Sequence, residues 1–278
     1  MTSRKRVNAR DIARFRKVVL SHHQSHGRHS LPWRKTKHPY RILVSEVMLQ
    51  QTQVDRVIPY YTRWMKQFPT ASSLAGATLK DVLLVWQGLG YNRRAKMLYE
   101  SARTIVTEYK GRFPRDARAL ERLKGVGPYT ARAVMAFAHN QDEVFVETNI
   151  RTAILHHFFP TKKSVSDAQI LSVASAVLPK GRAREWYSAL MDYGAYLKKQ
   201  GARTNHQVKG YTKQKAFLGS NREVRGRIVR ALLTGPVTQA KLTQLFDGAR
   251  ASQVHAQLQV LLAEGLIEKA GGRYRLPS

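Results

Sequence analysis

The 278-residue sequence predicts a nearly all-helical chain, closed by a small C-terminal α+β unit. Three observations carry that expectation. Apolar residues recur at helical spacing through most of the chain, strand signals are scarce before residue 260, and a glycine turn near the middle joins two short helical segments. Asp11 is placed to cap a first amphipathic helix running to about Ser21, with Ile12, Phe15, Val18 and Val19 on one face. The polar, histidine-bearing segment 22–30 reads as a loop. After Leu31-Pro32-Trp33-Arg34, His38-Pro39-Tyr40 makes an extended entry to a helix that carries Ile42, Leu43, Val44, Val47, Met48 and Leu49. Most of its circumference is apolar, so it should be buried. Glu46 lies inside that run, and a buried carboxylate is costly unless it is paired or has a task.

Helices are expected over 54–68, 72–75, 79–86, 93–109 and 117–123, punctuated by Phe68-Pro69 and Phe113-Pro114. The stretch Leu123-Lys124-Gly125-Val126-Gly127-Pro128-Tyr129-Thr130-Ala131 ends one short helix and starts another. Gly125 and Gly127 can take positive φ, and Pro128 suits the first helical turn. The amides of the turn and the helix N-terminus then point outward together and favour an anion such as a DNA phosphate. The plainer reading of the same stretch is a helix-turn-helix corner with glycine at a C-cap. A small-residue helix continues to Phe137, and Glu147-Thr148-Asn149 makes a cap-like start to a helix ending near Phe159. Two more helices follow over 166–177 and 184–196.

From Tyr193 to Arg222 the chain holds several Lys and Arg residues and no acid. This segment reads as a solvated linker, with contact to DNA backbone as a second role. The tail then changes character. Helices over 224–233, 239–246 and 251–264 precede a hairpin with a Gly271-Gly272 turn, the pattern of a winged helix. Many winged helices bind DNA through the third helix. Here that helix offers only Arg250 before it and His255 within it, so a protein-contact or structural role stands beside DNA binding.

The 48 Lys+Arg against 18 Asp+Glu give +30, which points to a polyanionic partner. There is no cysteine. That excludes disulfides, thiolate zinc sites and cysteine-ligated iron–sulfur clusters. No apolar run approaches membrane-spanning length, and the basic residues 1–10 lack a following apolar stretch, so neither a membrane segment nor a secretory signal is expected.

Leu31-Pro32-Trp33-Arg34, Ser45-Glu46-Val47-Met48-Leu49-Gln50-Gln51-Thr52-Gln53-Val54, Gly88-Leu89-Gly90-Tyr91, the glycine turn and Glu147-Thr148-Asn149 occur in that order. With these motifs the chain resembles the helix-hairpin-helix (HhH-GPD) DNA glycosylases, specifically the MutY type of adenine DNA glycosylase, over roughly residues 31–196. The resemblance implies an all-α two-lobed HhH-GPD fold. Residues 31–140 would form a six-helix lobe with the hairpin, 1–30 and 141–215 a second helical lobe, and 221–278 the winged helix. It implies base excision repair by hydrolysis of the N-glycosidic bond of a flipped, mispaired base, adenine opposite 8-oxoguanine or G foremost. The same scaffold acting on hypoxanthine or on mismatched thymine or uracil is the alternative. A non-catalytic protein that binds DNA structure is a third reading.

The chemistry requires protonation of the leaving base and shelter for a cationic sugar, as glycoside hydrolysis does with two carboxyl groups. Glu46 matches the family's general acid. Glu147 stands where the family has aspartate, one methylene shorter, and would stabilise the sugar cation; its plainer role is a helix N-terminal charge. Asn149 matches a residue of the catalytic pocket. Tyr129 stands where strand-cutting relatives carry a Schiff-base lysine, so no lyase step is expected. Trp33 and Arg34 match a segment lining the base pocket. Gln50 and Gln51, with Tyr91, match the stretch that fills the gap left by a flipped base. Lys124, Gly125, Val126, Gly127, Tyr129 and Thr130 match the turn that grips DNA backbone.

Two departures stand out. The family usually carries four cysteines after the position of Gly194-Ala195, holding a [4Fe–4S] cluster; here Tyr196-Leu197-Lys198-Lys199 follow, so no metal and no cofactor are expected. The family's usual C-terminal domain is replaced by the winged helix. The implied partner is double-stranded DNA with a mismatched or damaged base, with an AP endonuclease acting downstream. A monomer without membrane contact is expected. Its location would be cytoplasmic, at the nucleoid, in a bacterium, and otherwise intracellular and DNA-associated.

Overall fold

The computed structural model describes residues 8–202, 216–246 and 250–277. The elements are α1 (Ala9–His26), a 3-10 turn (Pro32–Lys35), α2 (Pro39–Leu49), α3 (Val54–Gln67), α4 (Ala71–Ala75), α5 (Leu79–Trp86) and α6 (Asn92–Thr107). They continue with α7 (Ala117–Glu121), α8 (Pro128–His139), α9 (Thr148–Phe158), α10 (Asp167–Val177) and α11 (Ala183–Lys199). The tail holds α12 (Asn221–Leu233), β1 (Val237–Thr238), α13 (Gln239–Gln244), α14 (Ala251–Ala263), β2 (Glu268–Ala270) and β3 (Arg273–Arg275). Local chemistry sets most boundaries. Reciprocal capping boxes start α4 at Thr70, α5 at Thr78 and α10 at Ser166.

Three expectations shift. The cap of α1 is Asn8, whose side chain accepts the Asp11 amide at 2.8 Å, so Asp11 lies inside the helix. The segment 22–26 continues α1 instead of looping, because His23 on the inner face docks in the core. In the glycine turn Gly125 takes φ +76, whereas Gly127 is an extended N-cap at φ −89, followed by Pro128 in the first turn of α8. A Cβ on Gly125 would also sit 2.7 Å from the Met97 Cβ.

Contacts divide the chain into two units. The first comprises the described residues of Met1–Ile42, Arg115–Glu121 and Val126–Lys213; the second comprises those of Leu43–Pro114, Arg122–Gly125 and Gln214–Ser278. This grouping differs from the expected lobes at residues 31–42, 115–121 and 126–140, which join the first unit, and at the tail, which joins the second. The basic stretch 203–215 lies outside the described residues.

In the first unit, α11 packs along α9 and α1. Phe15, Ile150, Ile154, Trp186 and Tyr187 are buried in its core, with Phe15 edge-on to Trp186 at 5.9 Å. Gly194 of α11 permits the closest approach. A Cβ there would lie 2.0 Å from the Asn149 carbonyl oxygen, so any side chain would push α9 away.

In the second unit, α4 and α5 pack on α6, and Trp64 and Trp86 are fully buried edge-on at 5.4 Å. The tail makes a three-stranded antiparallel sheet in the order β1-β3-β2, with Val237 opposite Tyr274 and Lys269 opposite Tyr274. With α12, α13 and α14 this is a winged helix. Its first strand, two residues long, gives no period-2 pattern and was not expected. No described helix is long and apolar enough to cross a membrane.

Candidate active site

The second unit carries Glu46 and both loops that would plug a flipped-base gap. α2 is apolar around most of its girth, which buries Glu46 at 7% exposure between Ser45 and Val47. Beyond α2, Gln50 is half-buried and Gln51 exposed, and Tyr91 is half-buried. Gln51 and Tyr91 both adopt φ 53, the left-handed region that side chains rarely occupy. Such strain persists only where surroundings over-determine it, and it gathers at functional sites.

The device that holds both loops is Arg94, which the sequence reading did not single out. Its Nη1 lies 2.9, 3.0 and 2.6 Å from the carbonyl oxygens of Val47, Met48 and Gln50. Its Nη2 donates to Thr52 Oγ1 at 3.2 Å and to the Gly90 carbonyl at 3.1 Å. The guanidinium also sits 5.4 Å from the Trp86 ring and 5.1 Å from the Tyr91 ring. Burial pulls its pKa down to about 10, so it stays cationic at neutral pH. Arg94→Met is expected to orphan several of these carbonyls and cost about 3 kcal/mol or more in urea denaturation. Arg94→Lys, a single compact donor group, should recover less than half of that loss. Parental stability in Arg94→Met would refute the clamp.

The first unit carries the second carboxylate. Glu147 caps α9: its Oε1 accepts the Asn149 amide at 2.7 Å and the Ile150 amide at 2.9 Å. The plainer role, a charge at a helix N-terminus, is therefore realised, with Oε2 left outside those two bonds. Burial pushes the Glu147 pKa up, while the two amides, Lys198 and Arg28 pull it back. Lys198 was also unforeseen. It lies in the last turn of α11, where the cysteine cluster would begin, and its Nζ donates to Asn149 Oδ1 at 2.7 Å. With no cysteine in the chain, the cluster has no cysteine ligands, and Lys198 ties the end of α11 to Asn149 at the start of α9.

Tyr129 is half-buried, edge-on to Phe145 at 5.5 Å, and offers no amine. Trp33 is buried in the 3-10 turn. Arg34 is not a bare pocket group. Its Nη1 and Nη2 grip Asp192 at 2.5 and 2.9 Å, and Nη2 also donates to the Ser188 carbonyl. Asp192 in turn accepts from His23 Nδ1 at 3.0 Å and from Arg28 Nε at 2.5 Å.

The hairpin residues divide by exposure. Lys124, Gly125 and Gly127 are exposed, whereas the side chains of Val126 and Thr130 are buried. Val126 and Thr130 therefore have only main-chain groups to offer a phosphate. Ser101 Oγ donates to the Lys124 carbonyl at 2.7 Å and steadies the turn. Glu46 and Glu147 belong to different units.

Glu46 thus lies buried on α2 of the second unit, and Glu147 caps α9 in the first. Residues 44–175 match the family described as "HhH-GPD superfamily base excision DNA repair protein". An adenine DNA glycosylase of Mycolicibacterium smegmatis is 36% identical over 279 residues, covering 93% of this chain and 95% of its own. One from Mycobacterium tuberculosis is 36% identical over 272 residues, covering 89% of this chain and 88% of its own. A solved thermostable thymine-DNA glycosylase superposes with TM-score 0.59 at 26% identity, over 67% of this chain and 87% of its own. The chain belongs to the HhH-GPD superfamily of base excision repair proteins, as a DNA glycosylase of the MutY type.

Proposed function

We propose that this glycosylase is monofunctional and releases adenine mispaired with 8-oxoguanine or G. The observation that carries the reading is the similarity to adenine DNA glycosylases, which runs through the winged-helix tail as well as the catalytic motifs. In this reading Glu46 protonates the departing base from its buried position on α2, then takes a proton from the attacking water. Glu147, in its carboxylate form, offsets the charge of the oxocarbenium-like sugar. Asn149 orients the sugar or water, held in place by Lys198. Gln51 and Tyr91 fill the gap in the stack, and the exposed turn at Lys124, Gly125 and Gly127 grips backbone phosphate. Tyr129 leaves the imine route without an amine. The product is an abasic site, the substrate class of an AP endonuclease, and the enzyme acts as a monomer on DNA in the cell interior.

A second reading, thymine excision from a mismatch on the same scaffold, is favoured by the likeness to the thymine-DNA glycosylase. Base release from duplexes holding A opposite 8-oxoguanine, A opposite G, hypoxanthine opposite T, and T or U opposite G separates the two. Adenine release supports the first, and thymine or uracil release moves the specificity. Silence on every duplex overturns both.

The pH profile tests the role of Glu147. Because its pKa is raised, its carboxylate is lost at a higher pH than an ordinary glutamate's as the solution is acidified. Base release should therefore show an acid limb above the ordinary carboxylate range, and Glu147→Gln should lower the rate and remove that limb. An unchanged acid limb in the variant would assign it to another group.

A further inference from the structure

The second unit contains a cleft of about 1360 Å³ whose α12 wall no part of the catalytic scheme uses. Gln51 and Tyr91 lie at one side and the first winged-helix segment, α12, at the other. Arg222, Gly226 and Arg230 line it from α12 at four-residue spacing, and so share one helix face. Arg222 Nη1 donates to the Tyr91 hydroxyl at 2.8 Å, with its guanidinium 5.4 Å from the ring.

The acids of the cleft are already matched. Glu264 takes Arg225 in a two-point pair, and Glu223 takes Arg250 at 3.0 Å and Arg227 at 3.2 Å. Arg93 and Arg230, both exposed, meet no acidic partner among the described residues, so the cleft keeps a positive surplus. Phe217, 57% exposed, adds an aromatic face at its edge. Basic groups interleaved with aromatic rings suit a nucleic acid strand with an unstacked base.

Gly226 supplies an independent observation. A glycine inside a helix destabilises it relative to alanine. Gly226 does not take positive φ, and a Cβ there would meet nothing within 4 Å. Neither backbone nor packing asks for glycine. Its effect is to leave the helix bare between Arg222 and Arg230, where a ligand can approach the backbone closely.

We infer that this cleft is a binding site for one strand of the substrate DNA, whose sugar–phosphate backbone crosses α12 at Gly226. This rests on DNA as the substrate of the wedge residues Gln51 and Tyr91. The winged helix then meets DNA through its first helix, not its third: α14 carries no Lys or Arg.

The test uses the full chain with Glu46→Gln added to block turnover, and a short duplex with an A·G mismatch, titrated across salt. Gly226→Ala should raise Tm, which shows that the helix accepts a side chain. Gly226→Leu should keep Tm at or above the parent yet weaken binding at least about tenfold. Arg222→Ala with Arg230→Ala should lower the slope of log affinity against log salt by about 1 to 2. Parental affinity and salt slope in both the leucine and the double-arginine variant would overturn the cleft. Base release by the otherwise native enzyme is read separately, so a failed glycosylase reading shows as absent release with binding effects intact.

Discussion

Glu46→Gln is expected to lose base release by about 10²–10⁴-fold or more while holding duplex DNA as tightly as the parent. The residue sits at 7% exposure on α2, where a carboxyl group is costly unless it is paired or has a chemical task. Glutamine keeps the size and a hydrogen-bonding end but has no transferable carboxyl proton. The expected split is therefore in turnover, not affinity. Single-turnover base release with affinity measured in parallel reads it. Parental turnover in Glu46→Gln would move the general acid elsewhere.

Asp192→Asn is expected to cost about 3–5 kcal/mol of stability. Its side chain is 2% exposed and accepts from His23, Arg28 and Arg34 at once. Burial alone would raise the Asp192 pKa, but the hydrogen bonds from His23, Arg34 and Arg28 outweigh it and hold the carboxyl well below its usual range. The contribution of that depressed pKa is present above the unfolded value near 3.8 and is lost only as pH falls below it. The variant's deficit should thus persist unchanged from pH 7 to 5. Arg28→Ala, at a side chain 34% exposed, should cost far less. Urea denaturation of the three proteins is the check, and a loss under about 1 kcal/mol in Asp192→Asn would show the cluster to be decorative.

The same logic that isolates Glu46 in the sequence applies to Asp192, which is flanked by Leu190, Met191 and Tyr193 within an apolar helix. Its burial is legible there. Its partners were not, since His23, Arg28 and Arg34 are separated from it by nearly the whole first unit in sequence. Helix positions were legible because periodicity and caps are local, as at Thr78 and Ser166. The ends that moved, at Asn8 and His26, were set by a side-chain cap and by the tertiary contact of His23. Arg94 shows the limit from the other side. Next to a glycine-rich motif it reads as one more surface cation in a chain of +30. Only the fold brings the carbonyls at the end of α2 and of Gly90 around its guanidinium, and only then do the left-handed Gln51 and Tyr91 have a cause.

A borohydride trapping assay on an adenine-mismatch duplex tests most directly whether the reaction is hydrolytic. The two-carboxylate scheme predicts free adenine, strand breaks only after alkali, and no covalent enzyme–DNA adduct on reduction. A borohydride-trapped adduct, or strand breaks without alkali, would show an amine at work and contradict it.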